Sequence, residues 1–315
     1  MICMRVVHIN DCASVGETIL KFLPRELDKQ HIKRGRGLWS KTFGIAKKIL
    51  MAKGDIYHVH YLLQDCYLAS SFRKHPLIGH AHGTDVRLGL KHRLWKKLVR
   101  RNLRSCDKVF VSTADLIKTA RKFRQDVEYI PNPIDTDFFH PKPSVSINGK
   151  KKVLVGSRSD WKVKHTDIVI RALAKVKDEV DVSIIHYGED FFETFKLAQS
   201  LGLKLNVLPK APRNELREYY WNADIVTGTF GSGGLGMVSL EAISCGRPVI
   251  AYVSASFPEY QDWPLKDVKT EQKIVAAIRD MSSDLWRKEY KYIEKNHDPR
   301  VIADRLMNVY KDLLF

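Results

Sequence analysis

Residues Ala223–Ala251 read ADIVTGTFGSGGLGMVSLEAISCGRPVIA. The β-rich run Ile225–Thr227 ends in a loop carrying Gly228, Gly231, Gly233, Gly234 and Gly236. A helical run with Glu241 follows, and Gly246-Arg247-Pro248 turns the chain into a second strand-like run, Val249–Tyr252. Strand, glycine loop, helix and strand in that order form the repeating unit of a parallel α/β sheet. A glycine loop that opens a helix offers unpaired backbone N–H groups and the positive end of the helix dipole, which suits a phosphate. A carboxylate one turn into that helix can accept both hydroxyls of a ribose. The same residues also fit a plain strand–helix turn with a solvated Glu.

The alternation continues upstream. Val153–Val155, Val182–His186 and Leu205–Leu208 read as strands, and Asp167–Val176, Phe192–Leu201, Asn214–Asn222 and Ser239–Cys245 as helices. An independent series opens the chain, with strands expected at Arg5–Asn10, Ile56–Tyr61, Leu77–His80, Lys108–Ser112 and Val127–Ile130. Helices are expected at Leu94–Leu103 and Ala114–Arg124. The Lys/Pro/Ser/Gly-rich stretch Pro141–Lys151 reads as a linker between the two series. Residues 1–145 and 146–298 are therefore expected as two doubly wound domains facing across a cleft, where ligands of such sheets bind beyond the strand carboxyl ends. Residues 299–315 follow as an amphipathic helix with Val301, Ile302, Leu306, Val309 and Leu313 on one face, packing back toward the first domain.

At 315 residues and 44% hydrophobic content the chain can fill two cores. Five widely spaced cysteines, Cys3, Cys12, Cys66, Cys106 and Cys245, make neither a CxxC pair nor an even set, which favours a reducing cytosol over a disulfide framework. The opening run Arg5-Val-Val-His-Ile9 reads as a strand and not as a signal peptide. No apolar run reaches the roughly 18 residues of a spanning helix. The net charge of +17 is unevenly spread: residues 1–150 hold 28 Lys and Arg against 13 Asp and Glu, while the remainder is nearly balanced. Such a field implies a polyanionic partner. Leu94, Trp95, Leu98, Val99 and Leu103 form an apolar stripe, with Lys96, Lys97, Arg100, Arg101 and Arg104 around it. Lys33, Arg34, Arg36, Lys41, Lys47 and Lys48 with Trp39 and Phe43 add a second basic-aromatic segment. Both suit an anionic bilayer surface, and both equally suit a fold helix with a solvated basic face. No reading element for bases interleaves these charges, so nucleic acid is not the expected polyanion.

Two further stretches carry chemistry. Gly54–Asp85 contains GDIYHVHYLL and then HPLIGHAHGTD, placing His82-Gly83-Thr84-Asp85 after a strand. His58, His60 and His80 stand nearby; they lack a cysteine or well-spaced carboxylate partner, so strand packing is expected over a metal. Gly156–Asp167, GSRSDWKVKHTD, sets Arg158, Lys162 and Lys164 after another strand. Fixed cations there would stabilise charge on a departing diphosphate, although a solvated basic loop has the same composition.

These stretches, in this order, resemble the GT-B glycosyltransferases of the retaining family 4 type. Ile130-Pro-Asn-Pro-Ile-Asp135 is similar to that family's interdomain segment, where Asn132 would order the hinge, and His186-Tyr-Gly-Glu189 to one of its loops. The resemblance implies an α/β GT-B fold of two Rossmann-like domains and transfer of a sugar from a UDP- or GDP-linked donor. The acceptor would be lipid-linked or a polysaccharide, and configuration would be retained, at the cytoplasmic face of a membrane and without metal or cofactor. It implies that Glu241 holds the donor ribose and that His82 lies near the reacting carbon. Arg158 and Lys164, with Lys162 as a second candidate, would neutralise the diphosphate. Gly16, Asp85, Ser232, Gly233, Gly234, Leu235 and Gly236 would complete the donor site. The family carries a Glu-x7-Glu pair, and the position of its first Glu is Gly233 here. That departure leaves open a second expectation, a GT-B-like binding or scaffold subunit without catalysis.

Overall fold

The computed structural model describes residues 4–35, 37, 39–142 and 149–315. Cys3, Arg36 and the centre of the Pro141–Lys151 stretch lie outside them. The chain divides into two compact units, Met1–Pro133 with His297–Phe315, and Ile134–Asn296.

The first unit contains β1 (Arg5–Ile9), α1 (Val15–Phe22), β2 (Asp28–Ile32), α2 (Ile45–Met51) and β3 (Ile56–His60). It continues through α3 (Gln64–Ser71), β4 (Leu77–Ala81), the single-turn α4 (Thr84–Arg87), α5 (Trp95–Ser105), β5 (Lys108–Val111), α6 (Ile117–Arg121) and β6 (Glu128–Tyr129). The strands form one parallel sheet in the order β2-β1-β3-β4-β5-β6. Every residue of β3 and β4 is buried, as expected of parallel strands covered on both faces. One face is apolar, built from Val7, Ile9, Tyr57, Val59, Leu77, Ala81, Val109 and Val111. The opposite face carries His8, His58, His60 and His80, all fully buried; His8 lies opposite His58, and His60 opposite His80.

The second unit runs β7 (Lys151–Val155), α7 (Thr166–Ala174), β8 (Val180–Ile185), α8 (Phe191–Ser200), β9 (Leu205–Leu208) and α9 (Arg213–Trp221). Then come β10 (Ile225–Thr227), α10 (Met237–Ser244), β11 (Val249–Ile250), α11 (Glu271–Arg279) and α12 (Ser283–His297). Its parallel sheet has the order β11-β10-β7-β8-β9. The helix α13 (Pro299–Asp312) belongs to the first unit. Strand order reverses between β1 and β3 in one sheet and between β7 and β10 in the other. The loops after these strands are where open α/β sheets bind ligands.

Three expectations need correction. Strand β2 was not anticipated: its sequence DKQHI has almost no apolar content because it is a half-exposed edge, where charge protects the sheet from further pairing. The change of unit falls at Pro133–Ile134, ahead of the linker stretch. Phe138 and Phe139 bring the intervening segment onto the second unit: Arg217 lies 4.6 Å from the Phe138 ring and donates to its carbonyl (3.0 Å), Arg213 lies 4.9 Å from Phe139, and Trp221 donates to the His140 carbonyl. Finally, α13 buries Ile302, Ala303, Leu306, Met307 and Tyr310 while Val301 is exposed, so its inner face is rotated toward Tyr310. A Tyr310→Ala substitution is expected to cost about 3–5 kcal/mol of first-unit stability, as for large buried aromatics, measured by urea unfolding. A loss below 1 kcal/mol would contradict this packing.

Candidate functional site

In the second unit the loops after β7 and β10 are joined. The Phe230 amide donates to the Lys164 carbonyl (3.1 Å), and a Cβ on Gly231 would sit 1.9 Å from the Val163 carbonyl. Only glycine permits that approach. The β7 loop is braced from within. Asp160 is buried and accepts from the Val163 amide (2.8 Å), while the Asp160 amide donates to Thr166 Oγ1 (3.1 Å). Arg158 is one-third exposed and donates to Asp160 (2.5 Å). Lys164 is half-buried in this loop and Lys162 is exposed. The structure thus brings Arg158 and Lys164 into one structural block with Ser232, Gly233, Gly234, Leu235 and Gly236, at the point where strand order reverses.

Gly236 caps α10 in extended conformation, and Glu241 follows in the helix. Glu241 is buried and accepts the Tyr220 hydroxyl proton (2.7 Å). Burial pushes its pKa up to about 7, against the Tyr220 hydrogen bond and the Arg213 charge. A buried carboxylate held by one hydroxyl has acceptor capacity left for a ligand's hydroxyls. Gly233 has φ +73, and an added Cβ would meet Ser254, Tyr252 and Phe257 at 3.0–3.3 Å. Its carbonyl accepts from the Ser254 amide (3.0 Å). The loop is therefore shaped around glycine at the position where a first Glu would stand.

In the first unit Asp85 organises the His82 turn. Its carboxylate accepts amides from Leu62 (2.9 Å), His82 (3.2 Å) and Gly83 (3.0 Å), and Gly83 has φ +118. Burial raises the Asp85 pKa while these amides lower it. Gly16 is buried against His60: an added Cβ would lie 2.8 Å from His60 Nε2, so glycine admits the imidazole. The half-buried His82 ring bonds His60 Nδ1 through Nε2 (2.9 Å) and Asn132 Oδ1 through Nδ1 (3.1 Å). Residues that sequence reasoning missed are Tyr220, Arg213, Asp160 and Tyr310. Tyr220, Arg213 and Tyr310 act through contacts distant in sequence and stand in no motif, while Asp160 stands within the Gly156–Asp167 stretch and shows its bracing role only through its burial and its bonds with Val163 and Thr166. His58, His60 and His80 offer ring nitrogens within 4.8 Å of one another.

The stripe expected on α5 divides: Val99 and Leu103 are core, while Leu94 (74% exposed) and Trp95 face solvent. Trp39 (75% exposed), Phe43, Leu50 and Met51 are exposed at and beside α2. Arg34 is committed to Asp65 by two hydrogen bonds (2.9 and 2.7 Å). No described helix is long and apolar enough to cross a membrane.

Residues 138–308 match the sequence profile of the Glycosyl transferases group 1 family, and residues 20–138 that of Glycosyltransferase Family 4. With two parallel α/β units and this switch-point site, the chain belongs to the glycosyl transferases group 1 family. It is similar to the N-acetyl-alpha-D-glucosaminyl L-malate synthase of Bacillus anthracis, at 26% identity over 65% of this chain and 58% of that protein. It is also similar to the GDP-mannose-dependent alpha-(1-6)-phosphatidylinositol monomannoside mannosyltransferase of Mycolicibacterium smegmatis, at 32% identity over 50% of this chain and 47% of that protein. The chain thus spans about half the length of these curated relatives. Among solved structures, sucrose-phosphate synthase from Thermosynechococcus elongatus gives a TM-score of 0.75 at 14% identity, covering 98% of this chain and 99% of that one. Anabaena HepE in complex with UDP and glucose gives 0.74 at 15%, covering 98% and 100%. These likenesses show the GT-B fold.

Burial holds His8 down to about 3 and His82 and His297 to about 4; His58, His60 and His80 are well below the usual range through burial and mutual repulsion. Below pH 6.5 the unfolded chain therefore binds protons that the first unit refuses, at about 1.4 kcal/mol per group and pH unit. Glu241, raised to about 7 by burial, and Glu289, which burial pushes well above the usual carboxylate range, have the opposite sign: between their unfolded and folded pKa values the folded second unit binds extra protons, and it gains stability as pH falls. Thermal unfolding followed by circular dichroism should show the first unit losing stability steeply from pH 6.5 toward 5, while the second holds. A first-unit transition that does not move over that interval would refute the neutral-histidine core. Separately, Gly233→Glu should lower the second-unit Tm, since φ +73 and the crowded loop oppose any side chain; an unchanged Tm would show the loop to be adaptable.

Proposed function

We propose that this protein transfers a sugar from a nucleotide-sugar donor, UDP- or GDP-linked, to a lipid-linked or polysaccharide acceptor. The observation that carries the proposal is the Phe230–Lys164 junction, which sets Arg158, Lys164 and the glycine-loop amides in one block with Glu241. Glu241 takes the ribose hydroxyls. Arg158 and Lys164, with Lys162 in a supporting role, and the amides of Ser232–Gly236 take the diphosphate. As the bond between the sugar's reacting carbon and the phosphate oxygen breaks, negative charge grows on that oxygen, and fixed donors lower the barrier. Cations do this work in our reading, with no metal or cofactor assigned a role.

To the His82 turn of the first unit we assign recognition of the sugar and the acceptor. Asp85, the carboxylate of that turn, is engaged by three backbone amides, which argues against its acting as a nucleophile. The reaction then runs on one face with retention: the acceptor oxygen bonds to the reacting carbon on the side from which the diphosphate leaves, and the acceptor proton passes to the departing phosphate oxygen. The relatives support the acceptor class, since the M. smegmatis protein is named for a phosphatidylinositol mannoside. The exposed Trp39, Phe43, Leu50, Met51, Leu94 and Trp95, with Lys47, Lys48, Lys96 and Lys97, fit the anionic cytoplasmic face of a membrane, at about 1 kcal/mol per cation near the surface. A hollow of about 480 Å³ beside them has an apolar wall of Phe43, Ala46, Tyr67, Leu68 and Leu98 that suits an acyl chain, and the Arg34–Asp65 pair also lines it.

Gly233 favours one second reading, a nucleotide-binding scaffold without turnover. Calorimetry with UDP and GDP, joined to a product assay over donors and acceptors, separates the two, because binding without product supports the scaffold. In the enzyme reading Arg158→Ala should lower kcat by about 10²–10³-fold, as for loss of an oxyanion donor. Glu241→Ala should weaken nucleotide binding about tenfold or more. Intact turnover in both variants would show that the site lies elsewhere. Flotation with phosphatidylglycerol vesicles should capture the protein where phosphatidylcholine vesicles do not, and Lys96→Glu with Lys97→Glu should release it. Equal capture by both lipids would remove the charge argument.

A further inference from the structure

Seven side chains of the first unit form an unbroken series of hydrogen bonds. His80 Nδ1 meets His58 Nε2 (3.2 Å), His58 Nδ1 meets the Tyr310 hydroxyl (2.7 Å), and that hydroxyl meets His8 Nε2 (3.2 Å). His8 Nδ1 then meets His60 Nε2 (3.0 Å), His60 Nδ1 meets His82 Nε2 (2.9 Å), and His82 Nδ1 meets Asn132 Oδ1 (3.1 Å). A neutral imidazole has one N–H and one lone pair, so each bond dictates the next. Asn132 Oδ1 only accepts, so His82 carries its proton on Nδ1 and accepts at Nε2. His60 must then donate from Nδ1 and accept at Nε2, and His8 must do the same. Tyr310 donates to His8 and accepts from His58 Nδ1. His58 Nε2 accepts from His80 Nδ1. The assignment closes without a clash: five imidazoles share the Nδ1–H tautomer, and every proton points toward Asn132.

The far end agrees. In this direction His80 Nε2 is a bare lone pair, and it has no hydrogen-bond partner among the described residues. The Ile130 backbone favours a proton on His80 but falls outside hydrogen-bond geometry with that nitrogen. The reverse direction would put an N–H there, facing the Ile130 backbone outside full hydrogen-bond geometry, and would require the Asn132 amide to turn over. Orphaned buried N–H groups are rarer than under-used acceptors. The other end is anchored as well, because the Asn132 carbonyl accepts from His297 Nδ1 (2.8 Å).

We propose that this series is a one-way hydrogen-bonded relay that locks the His82 ring and the Asn132 side chain in a single orientation, and that Tyr310 on α13 is a positioning residue for His82. It rests on the transferase reading for its role but not for its existence. With Nδ1 donating and Nε2 accepting inside the unit, His82 has no nitrogen left to exchange a proton with a sugar. It serves as a fixed neutral wall, and the relay keeps it so. A zinc ion among His58, His60 and His80 is the competing occupant; it would take lone pairs that the relay uses.

The test is a long-range 1H–15N correlation spectrum of the full chain labelled with 15N-histidine at pH 7.5, with metal content measured on the same sample. We expect Nδ1–H patterns for His8, His58, His60, His80 and His82, and no stoichiometric metal. Nε2–H patterns at His8, His58 or His60, or one zinc per chain, would overturn the relay. Tyr310→Phe keeps the ring and removes the hydroxyl. By cutting the bonds to His8 and His58 it should free the Asn132 amide to turn over, and so turn the His82 signal into a mixture of tautomers and lower kcat by about tenfold to a hundredfold, with donor KM unchanged, as expected when a reacting geometry is loosened. A single unchanged His82 tautomer in this variant, or wild-type kcat, would overturn the positioning role. Absence of turnover in the wild-type protein would count against the transferase reading alone, since the spectrum decides the relay without it.

Discussion

A parallel strand covered by helices on both faces leaves no water beside its side chains, so any polar group it carries inward must be satisfied by protein. That constraint shapes the first unit. Strands β1, β3 and β4 each turn histidine toward the same covered face, where Val, Ile and Leu would ordinarily stand. The rings stack and tilt against one another at centroid separations of 4.4–5.8 Å, as in the His80–His82 and His60–His80 pairs. Their partners come from one another, from Tyr310 and from Asn132. The layer is thus as specific in its proton placement as a hydrophobic core is in its shape.

The second unit meets the same constraint differently. Its buried carboxylates each have a donor: Asp135 takes the Phe138 amide, Asp160 the Val163 amide, Glu241 the Tyr220 hydroxyl and, last, Glu289 the Val249 amide (2.9 Å). The Glu289 bond fixes the start of β11 to α12. The open loops do the rest with backbone, through the Phe230–Lys164 bond and the close passage of Gly231 across Val163. One unit therefore stores its polarity in side chains inside the sheet, and the other presents backbone polarity at the sheet's edge.

Much of this was legible in the sequence. All five strands of the second unit stand where the apolar runs predicted them, and the glycine stretch leads into the helix with Glu241 as its spacing required. Strand β2 was hidden because an edge strand needs no apolar pattern. Tyr310 was hidden for another reason: in α13 it occupies a core position, and periodicity can mark such a position as inward but cannot say which strand it will bond. Asp85 stood in a legible motif although its three amide bonds did not, and the burial of Gly16 beneath His60 depends on two strands and a helix meeting. Contacts made across several elements leave no local trace.

The division of the chain has a consequence for its synthesis. Residues of the first unit stand on both sides of the second in sequence, with His297–Phe315 completing what Met1–Pro133 begins. On the ribosome the second unit can close first, because its residues are contiguous and domains tend to fold as units while the chain emerges. Until α13 arrives, His8 and His58 lack the hydroxyl that links them, and the nascent first sheet carries a wet, polar face. Its closure waits for α13 and joins segments that stand on either side of the second unit in sequence, and a chaperone that recognises exposed sheet would have that interval in which to act.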